Sequence, residues 1–163
     1  NVELMVSDGL NQANFKVGNV EYTTRLIEGI FPNWQKLIPA EFTTRAKISK
    51  EEFIKAVKIA AIFAREAGNI VKFKLAAEGA KGGVLSVAAA SNQVGSNEAQ
   101  AEIELNGQGG EIAFNYRYLL EMLSSVESDD VEFEMLESLN PGRLSLSGDD
   151  GYFHIIMPVR LQS

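Results

Sequence analysis

The chain has 163 residues, of which 45% are hydrophobic and 23% charged, a composition typical of about one globular domain. It contains no cysteine, which excludes disulfides and thiolate-bound metals, and its formal net charge of −7 argues against a simple basic nucleic-acid module. No apolar run approaches the roughly 20 residues of a membrane-spanning helix, and the first residues lack the pattern of a signal peptide. We therefore expect a cytoplasmic protein that makes no membrane contact.

Residues 1–27 predict three β-strands and no helix. The strand patterns cover residues 2–6, 13–17 and 20–27, and Gly18-Asn19 is a hairpin-turn signal between the last two. A sheet this small seldom folds alone. Because the chain also begins without Met and directly in a strand pattern, we expect a fragment that carries the end of a larger domain.

A helix follows a connector that is rich in proline and aromatic residues. Residues 29–39 contain two prolines and the only tryptophan, and a short strand pattern follows at 43–48. Ser49, with Glu52 at the third helical position, predicts a capping box, and the helix is expected to run to about residue 66. Its apolar face consists of Phe53, Val57, Ala60, Ala61 and Ala64.

The opposite side of this helix carries two patterns. Lys55, Lys58 and Arg65 share one stripe at helical spacing, and Ile62 lies between them with Phe63 beside it. Three such charges on one helix usually form a solvated face, and one exposed isoleucine is ordinary. These patterns by themselves leave the role of the face open.

Strands dominate the next segment. Strand patterns at 70–75, 83–88 and 98–105 alternate with turn signals at 79–83 and 106–110. The last of these strands alternates acidic or amide side chains with apolar ones, so we expect one of its faces to contact water.

A second helix is predicted from Tyr116 to about residue 126, with Asn115 as its cap. Its packing residues are Leu119, Met122, Leu123 and Val126. Strand patterns at 131–135 and 143–147 and one final strand complete the chain. From residue 43 onward the order is strand, helix, three strands, helix, three strands, which predicts an α+β domain with two helices on antiparallel sheet.

The final strand begins at Tyr152 and has apolar residues in both of its alternating sets. Residues 152, 154 and 156 form one set, residues 153, 155 and 157 form the other, and each contains large apolar side chains. That pattern predicts a strand that is covered on both faces. Pro158 has no N–H to donate and is expected to end the ladder.

The first three strands and the last three repeat one another at a shift of 129 positions, from residue 2 to residue 131. Residues 2–4 align with 131–133, and the spacing of the strands and turns that follow agrees. The chain is therefore expected to hold the last three strands of one domain copy, followed by a complete second copy.

Three segments resemble motifs of one family and occur in that family's order. Residues 24–39, TRLIEGIFPNWQKLIP, are similar to a connector of the bacterial sliding clamp, the β subunit of DNA polymerase III. Residues 114–123, FNYRYLLEML, are similar to one of its helices, and residues 156–161, IMPVRL, to its C-terminal signature. Trp34 and Lys36 stand where the family usually has Tyr and Arg.

The resemblance implies the DNA-clamp fold, with antiparallel sheets and two helices in each domain copy. Residues 1–36 would be the C-terminal strands of the family's middle domain, and residues 37–163 its third domain. It also implies a non-catalytic processivity factor of DNA replication, in which two subunits join head to tail and enclose duplex DNA without reading its sequence. No catalytic residue, cofactor or metal is expected, and this fragment by itself is expected to be monomeric.

The resemblance suggests three sets of functional residues. The DNA-facing set is Lys55, Lys58, Arg65 and Arg117, and the subunit-interface set is Ile62 and Phe63. The third set is a pocket between the middle and third domains that captures short linear motifs of the polymerase III α subunit, the clamp-loader δ subunit and other proteins with clamp-binding motifs. Its residues here are Pro32, Lys36, Leu37, Asn115, Tyr118, Ile155, Ile156, Met157, Pro158, Val159, Arg160 and Leu161.

Two other functional classes compete with this interpretation. An enzyme is disfavoured because His154, the only histidine, has no nucleophile or carboxylate constellation around it. The glycines at 107–110 lie between strand patterns, where they cannot form a phosphate loop that opens a helix. The alternative is a non-replicative scaffold or adhesion module, built of the same repeat but without DNA binding.

Overall fold

The chain folds into two compact units, Asn1–Trp34 and Gln35–Ser163. Each unit contains its own antiparallel sheet. The computed structural model describes residues 1–9, 11–79, 82–91, 93 and 95–161.

The first unit is a three-stranded meander. Its strands are β1 (Glu3–Val6), β2 (Gln12–Val17) and β3 (Val20–Arg25). The predicted hairpin turn is confirmed, because Gly18 has a φ of 57° between β2 and β3, a conformation that glycine adopts without steric cost. Most of the large apolar side chains of this sheet are exposed, including Leu4 and Tyr22, so it has no core of its own.

The second unit is an eight-stranded sheet with two helices. Its strands are β4 (Thr44–Ser49), β5 (Ile70–Glu78), β6 (Gly82–Ser91), β7 (Gly95–Gly107), β8 (Gly110–Asn115), β9 (Asp130–Met135), β10 (Gly142–Leu146) and β11 (Asp149–Ile156). Its helices are α1 (Lys50–Ala64) and α2 (Tyr116–Ser125). Across the sheet the order is β11-β10-β9-β4-β7-β6-β5-β8, and each neighbouring pair is antiparallel.

This is the predicted α+β architecture with one strand more than expected. The prediction of three strands between the helices was wrong, because the short run before α2 pairs with β5 and forms the edge strand β8. The predicted wet face of β7 is confirmed, since Glu102 and Glu104 are exposed while Ala101 and Ile103 are buried.

The strand registers reproduce the sequence repeat in part. Leu4 pairs with Phe15 in the first unit, and Phe133 pairs with Leu144 in the second, as the shift of 129 positions requires. The β10–β11 ladder departs from the repeat, because a register shift after Ser145 inserts extra residues into β11. The last strand is therefore a modified copy of β3.

Four fully buried phenylalanines organise the core. The ring of Phe73 lies 5.5 Å from that of Phe53, 5.7 Å from that of Phe114 and 6.3 Å from that of Phe133. The Phe114 and Phe133 rings meet edge to face at 5.9 Å. Phe114 lies on β8 and Phe133 on β9, which are far apart in the strand order. The sheet must therefore curve until its two ends approach each other across these rings.

The predicted apolar faces of both helices are confirmed. The buried helix-face residues include Phe53, Val57, Ala60, Ala61 and Ala64 of α1, and Leu119, Met122, Leu123 and the adjoining Val126 at the end of α2. Among the residues that the structure describes, no helix is long and apolar enough to span a membrane.

The predicted cap of α2 is confirmed, whereas the predicted cap and end of α1 are wrong. Asn115 caps α2 as predicted, since its side chain accepts a hydrogen bond from the backbone N–H of Arg117 at 3.0 Å. The capping box predicted at Ser49 is wrong, because the Ser49 side chain makes no capping hydrogen bond. Ser49 is the last residue of β4 and pairs with Asp130, so the ladder fixes its backbone. The helix α1 ends at Ala64, before the predicted residue 66.

Of the turns predicted at residues 79–83 and 106–110, the structure describes every residue of the second. Residues 80 and 81 of the first turn lie outside the described residues. In the second, Gly107 and Gly109 have φ values of 109° and 75°. A Cβ on Gly107 would lie 2.0 Å from the carbonyl oxygen of Thr43, so only glycine fits at this position.

A buried carboxylate lies on the face of the sheet opposite the core. The carboxylate oxygens of Glu134 form ion pairs with the Nε atom of Arg45 at 2.9 Å and the Nε atom of Arg143 at 2.5 Å. The Arg143 guanidinium also stacks over the Phe42 ring, 5.4 Å from its centroid. The two guanidinium charges oppose the buried carboxylate charge, and the contact with Phe42 ties the segment before β4 to the sheet.

The strand β11 is an edge strand, and the prediction that both of its faces are covered was wrong. Ile156 is 3% exposed, but Phe153 is 40% exposed. His154 pairs with the buried Leu144, so residues 152, 154 and 156 share the core side of the sheet and the other set faces outward. Beyond the strand, the N–H of Val159 donates to the carbonyl oxygen of Ala113 on β8 at 2.8 Å, which ties the two edge strands together.

We predict that Gly142→Ala lowers the free energy of unfolding by about 1–3 kcal/mol, the usual range for overpacking a core. A Cβ at this position would lie 2.8 Å from ring atoms of both Phe114 and Phe133, so the rings must separate. Urea denaturation followed by circular dichroism measures the change. Ser145→Ala on the same strand is the control and should stay within about 0.5 kcal/mol of wild type. An unchanged Gly142→Ala midpoint would contradict a tight ring contact.

Candidate functional site

A groove of about 530 Å³ lies between α2 and the edge strand β11. The residues that line it are Tyr118, Glu121, Met122, Ser125, Tyr152, His154, Ile155, Ile156 and Met157. Tyr118, Ile155, Ile156 and Met157 belong to the predicted pocket set, so the structure brings these four together. The other five residues were not predicted.

Each wall of the groove follows from a simple periodicity. Tyr118, Glu121 and Ser125 recur at helical spacing and lie along one stripe of α2. On the other wall, Tyr152 and His154 alternate along β11 and lie on the same side of the strand. Both periodicities were visible in the sequence. The missing information was that this helix and this strand, distant in the chain, lie side by side.

The groove has exposed apolar side chains above a buried floor. Tyr118 is 58% exposed and Met157 is 56% exposed, so both can contact a ligand. Ile156 lies at the bottom, buried in the core, and therefore supports the floor. An apolar groove with a few polar groups is the usual form of a site for a short peptide or a small molecule.

Four more residues of the predicted pocket set lie around the tail that leaves β11. Pro158 and Val159 are half-buried, and the Val159 N–H is already used in the bond to β8. Arg160 and Leu161 are exposed. The Leu161 side chain lines a separate depression of about 490 Å³ with Ile70 and alanines of β6. Of these four tail residues, Leu161 lines that depression, and none lines the groove between α2 and β11.

The remaining predicted pocket residues do not line the groove. Asn115 is held as the α2 cap through its side-chain oxygen, which leaves the amide nitrogen able to donate. Lys36 and Leu37 are exposed at the start of the second unit. Pro32 is exposed and belongs to the first unit.

The predicted DNA-facing cations are exposed on two helices that contact each other. Lys55 and Lys58 lie on α1, Arg65 directly follows its last residue, and Arg117 lies in the first turn of α2. Within the described part of the chain, none of the four forms an ion pair, so their charges are free to act on a ligand.

The two predicted interface residues differ in exposure. Ile62 is 61% exposed, in accord with its place between the cations of α1. Phe63 is half-buried and packs against the core, so only part of its ring can reach another molecule.

A histidine and a carboxylate, His154 and Glu121, line the groove. Burial lowers the pKa of His154, and the nearby Glu121 carboxylate raises it by a smaller amount. His154 is therefore mostly neutral near pH 7. Among the described residues no cluster of histidine and carboxylate side chains could hold a metal ion.

The curved antiparallel sheet, the two helices on its core side and the repeated strand triplets define a domain of the DNA-clamp fold. The chain belongs to the DNA polymerase III β subunit family, because the family described as "DNA polymerase III beta subunit, C-terminal domain" matches residues 35–160.

Relatives and solved structures agree with this assignment. The chain is 31% identical over 152 residues to a beta sliding clamp of Staphylococcus aureus, covering 92% of this chain and 39% of the relative. It is 30% identical over 160 residues to the beta sliding clamp of Synechocystis, covering 98% of this chain and 40% of the relative. The sliding clamp of Bacillus subtilis superposes with a TM-score of 0.80 at 25% identity, covering 99% of this chain and 41% of that one. This chain thus spans about two fifths of the length of its relatives.

We predict that His154 titrates below its ordinary pKa of 6.5 and that Glu121→Gln lowers the pKa further. The first effect arises from burial, and the second from loss of the negative charge that favours the imidazolium. Because the folded chain then binds this proton less readily than the unfolded chain, the His154 contribution to stability falls as the pH drops through 6.5 towards the folded pKa.

NMR of the single imidazole measures both values. Glu127→Gln, whose carboxylate lies outside the groove, is the control and should leave the titration unchanged. A His154 pKa above 6.5 would contradict the burial that the structure gives this ring.

Proposed function

We propose that this chain is part of a replication processivity factor, a non-catalytic sliding clamp that encircles duplex DNA in the cytoplasm. The observation that carries the proposal is the match of residues 35–160 to the family's C-terminal domain. The domain limits that we propose are residues 1–36 for the end of the middle domain and 37–163 for the third.

We infer that the groove between α2 and β11 forms part of a binding site for short linear motifs. Its exposed Tyr118 and Met157 suit the apolar side chains of such motifs. The proposed occupants are segments of the polymerase III α subunit, the clamp-loader δ subunit and other proteins with clamp-binding motifs.

The proposed DNA contact is electrostatic and independent of sequence. Lys55, Lys58, Arg65 and Arg117 are exposed and unpaired, so they can attract the phosphate backbone. Phosphate contacts carry no sequence information, which suits a protein that slides. A net charge of −7 limits the strength of this attraction, and we propose that enclosure rather than affinity retains the DNA.

The ring that we propose is a head-to-tail homodimer of the whole protein. Ile62 is exposed at the expected contact. Residues 95–104 of β7 pair with β6, but β4 pairs only with residues 103–107. In the described part of the chain, the second side of residues 95–101 therefore has no strand partner, and a strand of another subunit can pair with it.

Peptide binding tests the proposed function. We predict that a Gln-Leu-Ser-Leu-Phe peptide at millimolar concentration shifts the NMR signals of Tyr118 and Met157. Met157→Ala should weaken binding by roughly fivefold to thirtyfold, because truncating an anchor residue costs about 1–2 kcal/mol. Ile62→Ala removes an equally exposed apolar side chain outside the groove and should not change binding. If the peptide shifts no signals of the wild-type chain, the scaffold alternative is favoured.

We also predict that this chain is monomeric in solution. The proposed interface joins the third domain to the first domain of another subunit, and we propose that this chain holds the end of the middle domain and the third domain. Sedimentation velocity should give one species with the mass of one chain, and Ile62→Glu should sediment like wild type. A stable dimer that Ile62→Glu disrupts would overturn this prediction.

A further inference from the structure

The groove between α2 and β11 has an apolar end and a polar end. The tail bond from Val159 to Ala113 brings the end of β11 close to the start of α2, so Met157 and Tyr118 share one end. Glu121 lies about one turn further along α2, and His154 lies three residues back along β11. Glu121 and His154 both line the groove, and these positions on the helix and the strand put them at the other end.

The polar end presents hydrogen-bond acceptors. Glu121 offers an exposed carboxylate. Ser125 lines the groove, and its hydroxyl donates to the carbonyl oxygen of Met122 at 2.8 Å, which leaves the hydroxyl oxygen able to accept. Neutral His154 contributes one acceptor nitrogen.

No cation of the described chain neutralises Glu121. Arg117 lies one turn earlier on α2, at a spacing that often gives an ion pair, but the two side chains do not pair. Lys50, the cation near the other end of α2, donates instead to the carbonyl oxygen of Val126 at 2.9 Å. The polar end therefore carries an uncompensated negative charge beside an apolar surface.

We propose that this end of the groove selects a lysine or arginine in the partner peptide, placed one or two residues from the apolar side chain that contacts Tyr118 and Met157. The inference rests on the proposed peptide-binding function. Residues three apart on a helix are about 5–6 Å from each other, and an extended peptide advances about 3.3 Å per residue, which sets this separation. The aliphatic stem of the cation covers Tyr152, and its charged end meets Glu121 and the Ser125 oxygen.

The test uses peptides that share the core Gln-Leu-Ser-Leu-Phe, with acetylated and amidated ends. One pair carries lysine or norleucine in the N-terminal flank, and a second pair carries them in the C-terminal flank. Norleucine keeps the stem and removes the charge, so each pair isolates the electrostatic contribution. Dissociation constants for the whole chain are measured by NMR titration at one pH and low ionic strength.

We expect lysine to bind more tightly than norleucine in one flank by roughly two- to fivefold, the range for a solvent-exposed ion pair. Glu121→Gln should abolish this preference, so that the lysine and norleucine peptides of that flank bind equally. Glu127→Gln makes the same change in net charge outside the groove and should keep the preference. The Glu121→Lys variant should reverse the preference. In the flank where the wild-type chain favours lysine, this variant should bind a glutamate peptide more tightly than a lysine peptide.

The outcomes separate the two proposals. If every peptide fails to bind the wild-type chain, the proposed function fails and this inference fails with it. If the norleucine peptides bind but lysine gives no advantage, only the inference is overturned. It is also overturned if Glu127→Gln removes the preference as fully as Glu121→Gln, because the effect then reflects net charge alone.

Discussion

The contact between Phe114 and Phe133 is the constraint on which the second unit depends. Their strands, β8 and β9, lie far apart in the ladder order, so backbone hydrogen bonding alone does not bring the rings to 5.9 Å. Burying a phenylalanine contributes roughly 1.5–3 kcal/mol, and the curved sheet is the arrangement in which Phe53, Phe73, Phe114 and Phe133 are all buried. Gly142 permits the contact, because a side chain there would collide with both Phe114 and Phe133.

The candidate groove is a consequence of that curvature. The helix α2 starts immediately after β8, so the position of β8 fixes where the helix lies. The strand β11 is held by β10 at the other edge of the sheet, and the Val159 bond to Ala113 joins its tail to β8. Tyr118 and Met157 therefore face one groove because the two edges of one sheet have been brought together. A change that loosens the aromatic contact should widen the groove as well as destabilise the core.

The charge distribution shows why net charge is a poor guide to the surfaces of this protein. Glu98, Glu102 and Glu104 lie on the exposed face of β7, whereas Lys55 and Lys58 lie on the exposed face of α1. An acidic total of −7 is thus compatible with a helix face that attracts phosphates. The Glu134 cluster shows a third arrangement, in which two arginines form ion pairs with one buried carboxylate, and Arg143 also contacts the connector residue Phe42.

The sequence by itself determined what depends on neighbouring residues. The apolar faces of both helices, the Asn115 cap and the Gly18 turn follow from side-chain period and backbone preference, and the strand repeat appeared as matching spacing. Only the tertiary structure decided that Ser49 pairs with Asp130 in the sheet and that β11 is an edge strand. It also decided that Glu121 and His154 line the same groove as Tyr118 and Met157. These features depend on which elements pack against each other, and a period of 2 or 3.6 residues identifies an element without naming its partner.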